Sequence, residues 1–398
     1  MIFRKNIYLN PKESNGPAKD FSGQRLSGNM SQAKLQILIN SALRPKKGEK
    51  MLFVTDEPNG SLDAERQDRR DLLLRWLKAA SNLSKKAGFQ VLPLLKYAEP
   101  GKHNAHFPSD GLFGGEPVSN LVDIIKSADI VVAMTTYSQT ADLKGIATQT
   151  GSVRGLSMPT VVSSNESAMS VDHDAMNELG SKAMGMVKTA VGFEVIFKGR
   201  GVAEPASIYV DARHANWHMS PGFSRNPGDG FTNLPGAEFY CTPYEGVHPD
   251  ALAAIGESQT KGAWPVYSAE DGQTVFLRVE KNRIVEVPGD SAFAKKLRNL
   301  IKEDPNAANV AELGFGLNPN ARLGNVLEEE KAGIHIAYGK NVHFGKEGSW
   351  SGVVDASTHQ DVVYAHISPI RADVYAVFED GRRMVVALGG KVIEPKPL

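Results

Sequence analysis

Apolar positions change their spacing about halfway along this 398-residue chain. In the first half they recur at helical intervals between short, wholly apolar runs. A helix is expected over 31–44, followed by the strand MLFVT, which ends in Asp56. From Ala64 to Ala87, the residues Leu72, Leu73, Trp76, Leu77, Ala80 and Leu83 keep to one helical face, and Gly88 supplies a stop. The strand QVLPLL, a helix near 118–127 and the strand DIVVAM come next. A further strand at Met158–Ser163 and a helix over 170–192 complete the half. Short apolar strands alternating with helices predict a mostly parallel sheet with helices on its faces. Beyond residue 193 strand follows strand: FEVIF, ASIYVDA, AEFYCTP, TVFLRVE and RIVEVPG, a helix at 290–302, then GIHIAYG, QDVVYAHI, DVYAVFED and MVVALGG. Glycine turns separate the last four. The reading is an N-terminal arm (1–30), an α/β domain (31–195) and an α+β domain (196–398) rich in antiparallel strands.

Composition narrows the function classes. Hydrophobic residues make up 41%, enough for two cores, and Lys+Arg equals Asp+Glu at 45 each. This balance gives no electrostatic reason to expect nucleic acid or an anionic membrane as partner. The aliphatic run Ile130 to Met134 is of strand length, far short of a membrane span. The first twenty residues are charged and hold no apolar stretch of signal-peptide length, so a cytoplasmic location is expected. The single cysteine, Cys241, rules out an internal disulfide and a thiolate metal cluster. It reads as a small core residue. Any metal must then be held by His, Asp and Glu.

Two regions carry candidate chemistry. The first is the loop TTYSQTADLKGIATQTGSVRGLSMP after the strand DIVVAM, where an open parallel sheet usually binds ligands. Thr135, Thr136, Ser138 and Thr140 offer hydroxyls there, either to a ligand or to the cap of the next helix. No glycine-rich phosphate loop is present, so a nucleotide is not expected. The second region lies in the C-terminal half, in four segments. A turn, Asn233-Leu-Pro-Gly-Ala-Glu238, delivers a carboxylate to the start of a strand. Glu312 precedes a glycine-rich turn. His335 sits inside the apolar strand GIHIAYG. His359 and Asp361 share one strand face by period-2 alternation. Each signal has a bland alternative: His335 as a satisfied core histidine, Glu312 as a helix cap. Together, buried carboxylates with no Arg or Lys beside them call for a cation, and this donor set suits zinc, cobalt, manganese or ferrous iron. His214 and His218 have i,i+4 spacing without the H-E-x-x-H pattern. Arg213, His214 and Trp217 are read as pocket-lining or structural, and His103 and His106 as exposed.

At these segments the sequence resembles the aminopeptidase T family (thermophilic metalloprotease-like leucyl aminopeptidases). The stretches that carry the likeness are the loop quoted above, FTNLPGAEFY, AELGFGLNPNARLGNVLEEEKAGIHIAYGKN and STHQDVVY, in family order, from about residue 35 onward. The resemblance implies Glu238, Glu312, His335, His359 and Asp361 as metal ligands, a small-molecule or short-peptide substrate, and a homodimer. It also implies a hydrolase in which Glu312 bridges two zinc, cobalt or manganese ions and Glu238 and Glu312 serve catalysis. The sequence departs from the two-metal members at one place. Their tyrosine, seven residues after the strand histidine, is here Val342, with His343 beside it and Tyr338 nearer. His343, Tyr338, Arg213 and His214 are the candidate pocket residues. The same superfamily includes enzymes similar to 2,5-dihydroxypyridine 5,6-dioxygenase, which implies an alternative: one ferrous ion on His335, His359 and Asp361, opening a hydroxylated aromatic ring.

Overall fold

The computed structural model describes residues 29–58, 60–103 and 105–398. The arm expected over 1–30 lies outside them except for its last two residues. Two compact units divide the described chain. One comprises 29–173 and 220–236, the other 174–219 and 237–398. Where the sequence places a single cut near residue 195, the chain crosses between units at 173/174, 219/220 and 236/237. Side-chain burial explains the first crossing: on the helix His173–Val187, Ala183 and Val187 are wholly buried in the core of the second unit.

In the first unit, the strand Lys50–Glu57 is central and fully apolar over Met51–Val54. It pairs in parallel with Ile130–Ala133 on one side and Leu95–Ala98 on the other. Beyond Ile130–Ala133 lie Arg154–Ser157 and Phe231–Asn233, also parallel, while the hairpin Asp110–Phe113 and Glu116–Ser119 forms an antiparallel edge. The helix Ala64–Ala87 is capped by Asp63, whose side chain accepts from the Arg66 amide, and ends at Gly88 with φ 77°. The expected strand at Met158–Ser163 does not form. The strand ends at Ser157, and although the Met158 and Thr160 N–H groups still donate to the Ala133 and Thr135 carbonyls, Thr160 turns the chain at φ 62°.

The hydroxyl-rich loop is engaged by protein groups. Thr135 donates to the Tyr137 carbonyl and Thr136 to Glu99, and Thr140 pairs with Ser157. The backbone N–H groups of Thr136 and Tyr137 donate to the buried Asp56 carboxylate. Ser138 Oγ accepts from the Thr140 amide, but the helix Thr140–Thr150 has Gln139 at its N-cap and no side-chain cap bond, so none of the four hydroxyls serves as its cap. His103 departs from expectation. It is half-buried and accepts from the Ser138 amide, whereas His106 is exposed.

The second unit is built on two antiparallel sheets. Eight strands form the larger, in which Gly192–Gly199 lies between Val202–Asp211 and Ile370–Val377. The smaller has five strands in the spatial order β1 (Asn216–Ser220), β2 (Glu238–Thr242), β3 (Val310–Gly316), β4 (Ile334–Gly339) and β5 (His359–Val363). One face of the smaller sheet presents Phe239, Cys241, Leu313, Phe315, Ile334, Ile336, Tyr338 and Val362 to a core shared with Phe193, Val195 and Phe197 of the larger sheet. Phe315 stacks on Phe239 at 4.6 Å between centroids and meets Phe193 at 5.7 Å. Phe315→Ala is expected to lower stability by about 3–5 kcal/mol through lost burial and a residual cavity, measured by urea unfolding. A loss under about 1 kcal/mol would place the core elsewhere.

Candidate metal centre

Strand alternation sends the residues between these core positions to the opposite face of the five-stranded sheet. There β2 contributes Glu238 and Tyr240, β3 Glu312 and Gly314, β4 His335, and β5 His359 and Asp361. The register places Gly314 beside His335, and Glu312 and Asp361 on either side of Ala337. Gly314 therefore has a packing role. A Cβ there would lie 1.9 Å from Nε2 of His335, because the imidazole lies flat across the glycine. Glu312 does not precede a turn or cap a helix. It lies within β3, and the glycines after it belong to that strand, kept small by close neighbours.

Glu312 is the hub. Its Oε1 is 3.3 Å from Nε2 of His335, and its Oε2 is 3.2 Å from Nε2 of His359. His359 Nε2 is also 3.7 Å from Asp361 Oδ1, an electrostatic contact too long for a hydrogen bond. The far nitrogens of both rings face carbonyls, His335 Nδ1 that of Gly333 at 3.4 Å and His359 Nδ1 that of Lys340 at 2.6 Å. This orients each Nε2 toward the carboxylates. Glu312, His359 and Asp361 each bring a ligand atom within 4.8 Å of the other two. Metal–ligand bonds near 2.1 Å put tetrahedral ligands about 3.4 Å apart, so these separations suit a shared ion. Two buried carboxylate oxygens, Glu238 Oε2 and Asp361 Oδ1, have no hydrogen-bond donor. Unsatisfied buried anionic oxygens are costly, and a cation is the usual remedy.

Burial opposes ionisation of Glu312, but hydrogen bonds from His335 and His359 outweigh it and hold its pKa far below the usual range. Burial likewise disfavours charge on His335, yet Glu312 overcomes it and raises the imidazole to about 9. His359 is raised well above the usual imidazole range, against burial, by Asp361 and Glu312. Asp361 is lowered, burial being outweighed by His359. Without metal, these shifts favour charged imidazoles facing the Glu312 and Asp361 carboxylates.

One residue of the cluster escapes the sequence reading. Lys331 is wholly buried, and its ammonium binds Glu238 Oε1 and, at 2.6 Å, Glu330 Oε1. The carboxylates therefore have a basic neighbour, contrary to the expectation from the segments. Lys331 was in view in the run LEEEKAGIHIAYG, but the one-turn 3₁₀ helix Glu330–Ala332 that aims it inward was not. Burial raises Glu330 to about 8 despite Lys331. Burial also raises Glu238, against the pull of Lys331 and His335.

Beside His359 stands an aromatic wall. His218 stacks on Tyr240 at 5.0 Å, Phe344 meets Tyr240 at 5.0 Å and His359 at 5.5 Å, and His343 lies 5.4 Å from His359. Of the four candidate pocket residues, His343 alone lies against the cluster. Tyr338 faces the opposite way, into the core, 6.2 Å from Trp264. Arg213 is bound to Asp211 and to the carbonyls of Ile255 and Glu257. His214, at φ 58°, packs on Trp350. Trp217 packs between Phe193 and Phe239, and Cys241 is a buried free thiol. Val342, at the place of the family tyrosine, is 41% exposed and adds no donor.

No family model and no curated protein sequence matches the chain. Solved structures do. The 2,5-dihydroxypyridine dioxygenase from Pseudomonas putida KT2440 aligns with a TM-score of 0.59 at 16% identity, over 92% of this chain and 99% of that one. The chain has its fold. Wild-type AmpT from Thermus thermophilus aligns at 0.55 and 15% identity, over 91% and 98% of the two chains. These are the two kinds of protein to which the quoted segments pointed.

Proposed function

We propose that the chain is a metal-dependent enzyme acting on a small molecule or short peptide, with a divalent ion held by Glu312, His359 and Asp361 and with His335 beside it. The observation that carries this reading is the cluster of three ligand atoms within 4.8 Å, one of them a buried carboxylate oxygen with no hydrogen-bond donor. A zinc, cobalt or manganese ion bound there supplies Lewis acidity and brings a bound water's pKa toward neutrality. The reaction proposed is amide hydrolysis of the aminopeptidase type. Glu238 is the carboxylate suited to take the water's proton: its Oε2 is uncommitted and burial raises its pKa. Lys331 anchors the other oxygen and fixes the carboxylate's aim. Glu238→Gln is expected to lower kcat on aminoacyl p-nitroanilides about 10²–10⁴-fold while the metal content stays unchanged. A variant as active as wild type would remove Glu238 from the chemistry.

The aromatic wall favours a second reading. His218, Tyr240 and Phe344 form a surface on which a flat ring can lie beside His359, and Val342 leaves out the tyrosine of the two-metal peptidases. Here His335, His359 and Asp361 hold ferrous iron, which supplies dioxygen activation for cleavage of a hydroxylated ring. Oxygen uptake by the iron-loaded chain with dihydroxypyridines, and no amide hydrolysis, would select it.

Both readings require His359 to shed its proton before it coordinates. His359 is held well above the usual imidazole range by Asp361 and Glu312, against burial, so the affinity for metal rises with pH through neutrality. The slope in that range is about tenfold per pH unit for each proton displaced. Calorimetry in buffers of different ionisation enthalpy checks this. Binding that releases no proton near neutral pH would contradict the ligand assignment.

A further inference from the structure

The Lys331 ammonium lies on the carboxylate that a second metal ion would need. Two-metal chemistry in this pocket would place one ion among Glu312, His359 and Asp361 and another among Glu238, Glu312 and His335. The first group is assembled. In the second, Glu238 Oε2 is 4.0 Å from Nε2 of His335, but Glu238 Oε1 is already bound by Lys331, which carries no exposed surface and is tied from its other side to Glu330.

Lys331 also enters the charge balance of the pocket. The carboxylates of Glu238, Glu312, Glu330 and Asp361 share this buried region, and Lys331 is the lysine among them. With neutral histidines the four carboxylates alone would match two divalent ions, whereas with Lys331 present a second ion takes the sum from −1 to +1.

We propose that Lys331 serves as a built-in cation that occupies the second metal position, so that the centre binds a single divalent ion and Glu238 is not one of its ligands. This rests on the metal reading given above. Lys331 is a positioning residue: it neutralises Glu238 and closes the Glu238–His335 side of the pocket. A methionine of similar length in its place would fill the space without the charge and leave Glu238 and His335 free to take up another ion.

Chelator-treated full-length protein titrated with Mn²⁺ by calorimetry, with elemental analysis after desalting, tests the proposal. Wild type is expected to bind about one ion per chain and Lys331→Met about two, with circular dichroism showing a folded variant. Wild type binding two ions, or folded Lys331→Met still binding one, would overturn it. Glu238→Gln decides the matter if Lys331→Met does not fold. One ion held within about threefold of wild-type affinity supports the proposal, whereas an affinity lower by tenfold or more makes Glu238 a ligand and overturns it. A wild-type chain that binds no ion removes the metal reading itself, and this inference with it.

Discussion

Glu312→Gln is expected to abolish metal uptake and turnover together while the chain remains folded. Glu312 presents one oxygen to each histidine and lies in the cluster through which His359 and Asp361 meet. Loss of a group that merely orients a ligand lowers metal affinity about 10–100-fold, so loss of a ligand is expected to cost at least about 100-fold. The metal-free protein should register the change as well. Two buried or partly buried imidazoles lose their anionic partner, which costs about 3–5 kcal/mol. The pH dependence has a definite sign. Glu312 has a depressed folded pKa, so its contribution to stability is present above the unfolded value, about 4.3, and is lost as the pH falls through the folded one. The difference between wild type and variant should therefore be largest near neutral pH and shrink in strong acid, as followed by urea unfolding. Equal stability at neutral pH, or full metal affinity, would show that Glu312 is not the hub.

Gly314→Ala is expected to act almost as strongly on metal binding without touching a ligand. Its new methyl would fall 1.9 Å from His335 Nε2 and 2.1 Å from Cε1, so the ring must leave its place over β3. Overpacking of this kind costs about 1–3 kcal/mol of stability. The larger effect is geometric, because His335 can no longer reach Glu312. Metal affinity should drop about 10–100-fold, as for loss of a ligand's orienting contact, with calorimetry as the readout. A variant that binds metal like wild type would mean that His335 does not take part.

The sequence spoke most clearly where one local rule was sufficient. The helix Ala64–Ala87 has the predicted bounds, since Asp63 and Gly88 are strong start and stop signals. His359 and Asp361 share a face because period 2 leaves no choice. It was silent where the answer depends on what another segment does. The run ELGFG reads as a turn if glycine means only backbone freedom, yet Gly314 and Gly316 are strand residues whose missing side chains admit His335 and the backbone at Lys331. Tyr338 drew notice as an aromatic near His335, but three residues along a strand is an odd number, and it therefore faces the core. Lys331 was the costliest omission. A lysine is ordinarily solvated, and only the 3₁₀ turn before β4, with Glu238 supplied from 93 positions earlier, makes it a buried ion. The crossing at 173/174 depends on distant contacts in the same way. Nothing local in the helix His173–Val187 says which sheet its apolar face will meet.

The central claim is an ion at the Glu312, His359 and Asp361 cluster. Anomalous diffraction from crystals of the full chain soaked in Mn²⁺, collected on both sides of the manganese edge, tests it most directly. One strong peak per chain is predicted, about 2.0–2.3 Å from a carboxylate oxygen of Glu312, Nε2 of His359 and an oxygen of Asp361. No peak at that position, or a peak only among surface carboxylates with the cluster unchanged, would contradict the account.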